Sequence, residues 1–133
     1  MSKKIMVIPC SGMGKVLGLV AREAALKVAT ELCPGEAQTV CLAYIVTGDQ
    51  EAREKIEGAD CLPIDGCPKL CAAKNAEMAG GIIKREFRAV DIFKEHKGAK
   101  PGDATALTEE GWRMVDELAD RVKDAVKELV REG

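Results

Sequence analysis

Aromatic side chains are scarce in this sequence, which has one Trp, one Tyr and two Phe among 133 residues. The hydrophobic core must therefore be aliphatic. An excess of charge of either sign is also absent, because 20 Lys and Arg face 22 Asp and Glu. Without a basic stripe or aromatic side chains to stack on bases, the sequence gives little support for nucleic-acid binding. A small ligand or a protein partner is favoured instead.

Long hydrophobic runs are missing as well. The first residues, Met1 to Lys4, are followed by only a few apolar residues before Pro9 and Cys10. This run is too short for a signal-peptide core or a membrane span, so we expect a cytoplasmic protein with no membrane partner. In a reducing compartment, six cysteines favour metal binding or thiol chemistry over structural disulfides.

Histidine occurs once, at His96, within a strongly charged segment. We expect an exposed loop residue there rather than a ligand or a base. No catalytic Cys–His pair is visible. The acidic pairs Glu109–Glu110 and Asp116–Glu117 fall on a helix whose other face is apolar, so we interpret them as helix-surface charges rather than an acid–base pair.

The sequence does contain enough apolar residues for a core, at 47% hydrophobic and 32% charged. A chain of this length suits a single domain over residues 1–133. Strand and helix patterns alternate, which predicts an α/β fold: a mainly parallel sheet of about four strands with helices on both faces, in a Rossmann-like or flavodoxin-like order that the sequence leaves open.

The predicted elements follow the chain in order. Strands are predicted at residues 4–9, 37–41 and 59–64, with a fourth within 82–92, and helices at 15–32, 48–57 and from residue 67 to about 78. Residues 94–106 carry Gly and Pro and predict a mobile loop before a long last helix with Thr108 as N-cap. That helix has an apolar stripe for the sheet or a second subunit, made of Trp112, Val115, Leu118, Ala119, Val122, Val126 and Leu129.

Cysteines follow three of the predicted strands. Cys10, Cys41 and Cys67 lie just beyond the ends of these strands, and the carboxyl ends of parallel strands share one edge of a sheet. Cys71 comes four residues after Cys67, on the same face of the next predicted helix. Four thiols are thus expected at one edge, where they suit a soft metal or redox chemistry. The alternative is that they are ordinary buried thiols.

The remaining two cysteines have a different expected role. Cys33 falls at the opposite edge and Cys61 near the start of its strand, so both are predicted to be buried structural thiols. Near the tetrad, Lys15 and Lys69 suit either hydrogen bonding to the site or a solvated surface, the second being favoured. For Asp65, orienting a ligand and capping a helix are equally supported.

Three familiar motifs do not fit this sequence. Residues 12–15 contain a Gly-Lys pair, but Pro9 and Val16 occupy positions at which a Walker loop needs Gly and Ser or Thr. Val16 also takes the place of the Arg that a cysteine phosphatase would need after Cys10. Cys67 and Cys71 are separated by three residues rather than the two of a thioredoxin motif.

Together the cysteine motifs resemble a known family. Cys10-Ser11-Gly12, Cys41-Leu42-Ala43 and Asp65-Gly66-Cys67-Pro68 with Cys71-Ala72 are similar to the motifs of the DGC-domain zinc-binding proteins, over residues 4–92. The resemblance implies four zinc-chelating cysteines, Cys10, Cys41, Cys67 and Cys71, and no particular reaction. The loop and last helix, residues 94–133, fall outside the stretch that carries these motifs.

The leading hypothesis is therefore a zinc-binding α/β protein with one Zn²⁺ in a delivery, regulatory or structural role. A thiol-based redox enzyme or sensor is the alternative, with Cys10 or Cys67 as the reactive thiolate and Cys71 as the resolving thiol. An iron–sulfur cluster is the second alternative. Whether the protein is an enzyme, and whether it forms a dimer, are left open by the sequence.

Overall fold

Five parallel-paired β-strands form the sheet of the computed structural model. The structure describes residues 5–9, 16–40, 48–65, 71–96, 98, 100–102 and 106–132, and for Cys71 and Glu132 the backbone alone. The strands are Ile5–Pro9 (β1), Ala37–Thr39 (β2), Asp60–Asp65 (β3), Ile82–Ile83 (β4) and Phe87–Arg88 (β5). The predicted α/β architecture with a mainly parallel sheet is confirmed.

The strand order is β2-β1-β3-β4, with β5 also paired to β3. Every pairing is parallel. The two central strands, β1 and β3, have nearly continuous apolar sequences and are buried along almost their whole lengths, as expected where helices cover both faces. This order is the flavodoxin-like arrangement, one of the two orders that the sequence left open.

The predicted fourth strand is split in two. Cys61 pairs with Ile83 and Ile64 with Phe87, so two residues of β3 face three on the partner side. The Cys61 carbonyl accepts the Lys84 N–H, so the backbone groups of Cys61 face β4. Backbone groups two residues apart in a strand face the same neighbour, and the backbone nitrogen of Pro63 therefore also faces this side of β3. Because Pro63 has no N–H to donate, the ladder is interrupted there, as proline generally requires within a sheet.

Helices connect most of the strands and follow the last one. They are Val16–Lys27 (α1), which continues as a π-helical turn at Val28–Leu32, then Gln50–Ile56 (α2), Cys71–Met78 (α3), Ala89–Glu95 (α4) and Glu109–Glu132 (α5). Helix α4 occupies the last residues of the range 82–92, within which the fourth strand is predicted, and the first residues of the predicted loop. Among the described helices, none is long and apolar enough to cross a membrane.

Packing against the sheet follows from the connections. Helix α1 contacts β1, β3, α4 and α5, whereas α3 contacts β1, β3 and β4. The connection from β1 to β2 and the connection from β2 to β3 run in opposite directions across the sheet. Because such crossovers are right-handed, α1 lies on one face of the sheet, and α2 and α3 lie on the other. The sheet is therefore the middle layer of three.

The long helix α5 packs with its apolar stripe against α1, the π-helical turn and α4. Six of the seven stripe residues predicted from sequence are buried, and Met114 and Ala125 join them. The prediction that Trp112 belongs to the buried stripe is wrong, because this residue is 47% exposed. Its position on the helix lies at the margin of the buried face, where it lines a surface groove with Leu26 and Asp116.

The segment before α5 is anchored rather than free along its described residues. Thr108 caps α5 by accepting the Gly111 N–H at 3.2 Å, which confirms the predicted N-cap. Its own N–H donates to the Pro101 carbonyl at 2.9 Å, and Gly102 bridges to Leu107. The prediction of a mobile loop over residues 94–106 is thus wrong at its two ends, where backbone hydrogen bonds and α4 hold the chain.

Candidate metal site

The carboxyl ends of β1 and β3 lie side by side. Pro9, the last residue of β1, is the register partner of Ile64, the residue before the last of β3. β2 pairs with the opposite side of β1, with Thr39 beside Val7. The β1/β3 junction is the point at which successive crossovers leave in opposite directions, which is where ligands bind in open parallel sheets.

The four predicted metal ligands follow these strand ends in sequence. Cys10, Cys41 and Cys67 lie outside the described residues, as do Lys15 and Lys69. Cys71 is described by its backbone, as the first residue of α3. The structure thus shows where β1, β2 and β3 end and where α3 lies. That the four cysteine sulfurs lie close together stays a prediction. Among the described residues, no group of three or more His, Cys, Asp or Glu is arranged to hold a metal ion.

Asp65 connects the edge of the sheet to α3. It is the last residue of β3, and its side chain is buried. Its two carboxylate oxygens accept the backbone N–H groups of Ala72 and Ala73, at 2.7 and 3.4 Å. Of the two roles that the sequence left open for Asp65, the structure shows helix capping, through the N–H groups of Ala72 and Ala73 in α3.

Burial sets the electrostatics of Asp65. Loss of water around the carboxylate raises its pKa, and the hydrogen bonds from Ala72 and Ala73 lower it in part. Among the more distant charges, Glu86 raises the pKa further and Lys74 lowers it. The Asp65 carboxylate is accommodated in this buried position because it accepts hydrogen bonds from N–H groups of α3 that have no partner within the helix.

Cys33 and Cys61 are buried free thiols, as predicted. Cys33 follows the π-helical turn at the amino end of β2 and donates its N–H to the Val28 carbonyl at 2.7 Å. The Cys61 thiol donates to the Ala59 carbonyl at 3.4 Å, and burial raises the pKa of Cys61 to about 11. Burial raises the pKa of Cys33 as well, so neither thiol is a reactive thiolate near neutral pH.

His96 directly follows α4 as its C-cap residue, and its side chain contacts α5. Its Nε2 is 2.5 Å from a carboxylate oxygen of Glu117 on α5, and Arg121 pairs with both Glu117 and Glu95. Glu117 is therefore part of a link between two helices and more than the solvent-facing charge predicted from sequence. This pairing could not be predicted, because the two residues are 21 positions apart and neither has a distinctive motif.

These features define an α/β protein with a flavodoxin-like sheet in which β1 and β3 end side by side. A scan against family models matches the DGC domain over residues 6–126, and the chain belongs to this family. The match includes all four cysteine positions and continues through most of α5, so it reaches well beyond the stretch that carries the cysteine motifs. No match to the chain was found among curated proteins or among solved structures.

Proposed function

We propose that this protein binds one Zn²⁺ through the thiolates of Cys10, Cys41, Cys67 and Cys71. The observation that carries the proposal is that β1 and β3 end at nearly the same level of the sheet, where Pro9 is the register partner of Ile64. Cys10 is the next residue after β1, and Cys67 is the second residue after β3. Membership of the DGC family, whose motifs include these positions, supports the same ligand set.

The chemistry of the donor set fits zinc. Four thiolates are a common tetrahedral ligand set for Zn²⁺, and three of these cysteines follow different strands, so the site would join distant parts of the chain. Four thiolates with one Zn²⁺ carry two excess negative charges. The amino end of α3, at Cys71, supplies a favourable dipole for such charge.

An exchangeable or regulatory zinc is favoured over a structural one. Both central strands are buried in an aliphatic core, which includes residues of α1, α3, α4 and α5. A domain with a core of this extent does not need a metal ion to fold, in contrast to small zinc-dependent modules. We therefore propose a delivery or regulatory role for the bound metal.

Metal analysis of protein purified without added zinc tests the proposal. We expect about one zinc per chain, lost in Cys67→Ala and retained in the matched variant Cys33→Ala, which removes a buried thiol at the opposite edge. An absorption spectrum of anaerobically prepared protein separates zinc from an iron–sulfur cluster, which would be coloured. Protein that contains no metal would rule out the proposal.

A second candidate is thiol redox chemistry at the same edge. Its support is the sequence, in which Cys10 and Cys67 each follow a strand by one or two residues, where either could be the reactive thiolate with Cys71 as the resolving thiol. In metal-free protein, one of the four edge cysteines should then be alkylated near neutral pH much faster than the others. Uniformly slow labelling would exclude this candidate.

A further inference from the structure

We infer that the groove between α1 and α5 is a docking surface for a basic segment of a partner protein. The groove presents an exposed tryptophan together with three carboxylates, a combination that suits an arginine or lysine side chain beside an apolar one. The inference is independent of zinc binding, because every residue that carries it lies on α1, its π-helical turn or α5.

Two large apolar side chains are exposed in this groove. Trp112 of α5 is 47% exposed, and Leu26 of α1 is 40% exposed. A single exposed apolar residue needs no explanation, but two that line the same groove offer a joint contact surface. Tryptophan is also among the residues that contribute most to binding at protein interfaces. The apolar part of the groove therefore suits contact with another protein.

The size of the groove favours a side chain over a whole small molecule. Its volume is about 240 Å³, whereas pockets that enclose cofactors or drug-sized ligands typically hold about 300–1,000 Å³. A partner side chain can enter a groove of this size while the rest of the partner lies across the two helices.

The charge in the groove is negative. Its lining contains one ammonium group, that of Lys27, and three carboxylates, those of Glu23, Glu31 and Asp116. Lys27 forms an ion pair with Asp116. Within the described part of the chain, neither Glu23 nor Glu31 forms an ion pair, so two negative charges are left over. The hydrogen bond to Asp116 raises the pKa of Lys27, and the charge of Glu31 raises it further, as expected beside excess negative charge.

This excess of negative charge determines which partner fits. A two-fold dimer formed through the groove would bring the same carboxylates of two chains together, since a two-fold interface joins identical surfaces. Like charges that face each other across an interface oppose association. A basic segment instead brings cations to Glu23 and Glu31, and a cation over the face of Trp112 would gain a cation–π attraction. The complementary partner is therefore a different chain.

Selection from a library of random short peptides tests the inference without a known partner sequence. Peptides displayed on phage are selected on the full parent protein, and we expect the selected sequences to be enriched in Arg and Lys next to apolar residues. A selected peptide without tryptophan is then made synthetically. Its binding should shift the fluorescence emission of Trp112, which reports on the groove because the chain has no other tryptophan.

Variants of the protein locate the binding site, with fluorescence anisotropy of the labelled peptide as the measurement. Trp112→Ala should raise the dissociation constant at least about 10-fold. The double variant Glu23→Gln/Glu31→Gln should raise it about 3- to 10-fold and make binding less sensitive to salt. Asp124→Asn is the matched control, because it neutralises an exposed carboxylate of α5 outside the groove, and we expect a change within about twofold.

Several results would overturn the inference. These are a selection that yields no binding peptide, selected peptides with no excess of basic residues, and binding as tight in Trp112→Ala as in the parent. Light scattering over a range of protein concentrations examines the other occupant: self-association that Trp112→Ala abolishes would identify a second copy of the chain instead. Should Trp112→Ala lose its native circular dichroism, the double glutamine variant decides, because it changes charge with little change in shape.

Discussion

Pro9 and Ile64 are register partners at the carboxyl ends of adjacent parallel strands. The chain therefore leaves β1 and β3 at the same level of the sheet, immediately before Cys10 and shortly before Cys67. This pairing is the basis on which cysteines 57 positions apart in sequence can be proposed to share one ion.

Removal of the metal should leave the fold intact. Within the described part of the chain, the core extends over the sheet and all five helices. Chelator-treated protein should keep the far-ultraviolet circular dichroism of the untreated protein and unfold in one cooperative transition. Loss of cooperative unfolding after chelation would show that zinc is structural, contrary to the delivery or regulatory role.

The buried stripe of α5 should contribute more to stability than its exposed face. Val126 is fully buried, whereas Val130, four residues further along the same helix, is 42% exposed. Val126→Ala should lower the free energy of unfolding by about 2 kcal/mol, through lost burial and the cavity left behind.

The matched control is Val130→Ala, for which we expect a change within about 0.5 kcal/mol. Denaturant unfolding of both variants gives the comparison. Equal effects at the two positions would mean that α5 does not pack against α1 and α4 with this face.

Gly111 should be an exception to the usual preference of helices for alanine. A Cβ added at this position would lie 2.2 Å from the Pro101 carbonyl oxygen and 3.1 Å from a Leu107 methyl group. Gly→Ala within a helix normally stabilises by about 1 kcal/mol. Here we expect a loss of about 1–3 kcal/mol, because the anchored segment before α5 would have to move.

The control for Gly111→Ala is Arg113→Ala, at an exposed position two residues later, with an expected effect within about 0.5 kcal/mol. Thermal or denaturant unfolding measures both. Stabilisation by Gly111→Ala would contradict the close approach of Pro101 to α5.

Cys61 should make stability fall at alkaline pH. Burial raises its pKa from 9.0 to about 11, so the thiol ionises at lower pH in the unfolded chain than in the folded one. The stabilising contribution of the Cys61 thiol to the free energy of unfolding is complete below pH 9, and it is lost as the pH rises from 9.0 to about 11. Other groups titrate there, so the measured quantity is the difference in this pH slope between the parent and Cys61→Ala.

We expect the slope of unfolding free energy against pH to be shallower in Cys61→Ala. Cys33→Ala provides a comparison, because burial also raises the pKa of Cys33. Identical slopes in the parent and Cys61→Ala would show that the Cys61 thiol is accessible to water in the folded state.

Much of the fold could be predicted from sequence because its signals are local. The continuous apolar runs of β1 and β3, the Thr108 cap and six of the seven α5 stripe residues each follow from a short pattern. Strand order could not be predicted, since it depends on pairings between residues that are far apart. The split between β4 and β5 depends on Pro63, a residue of the neighbouring strand, so no pattern within residues 82–92 indicates it.

The candidate ligands of the site follow from sequence alone, and this ligand set stays a prediction. The spacing of cysteines after strands identified the tetrad as candidates, and the burial of Cys33 and Cys61 agrees with their separation from it. The target of Asp65 could not be read from sequence, because an Asp-Gly pair usually caps the helix that follows at once. Here the carboxylate reaches Ala72, across the segment that contains Cys67 and Cys71.

X-ray absorption at the zinc edge of the loaded protein is the most direct test of the central claim, that sulfur atoms from three junctions of the sheet bind one ion. We predict a shell of four sulfur atoms at about 2.3 Å, reduced to three in Cys10→Ser and in Cys41→Ser. A first shell that contains nitrogen, or that is unchanged in both variants, would contradict it.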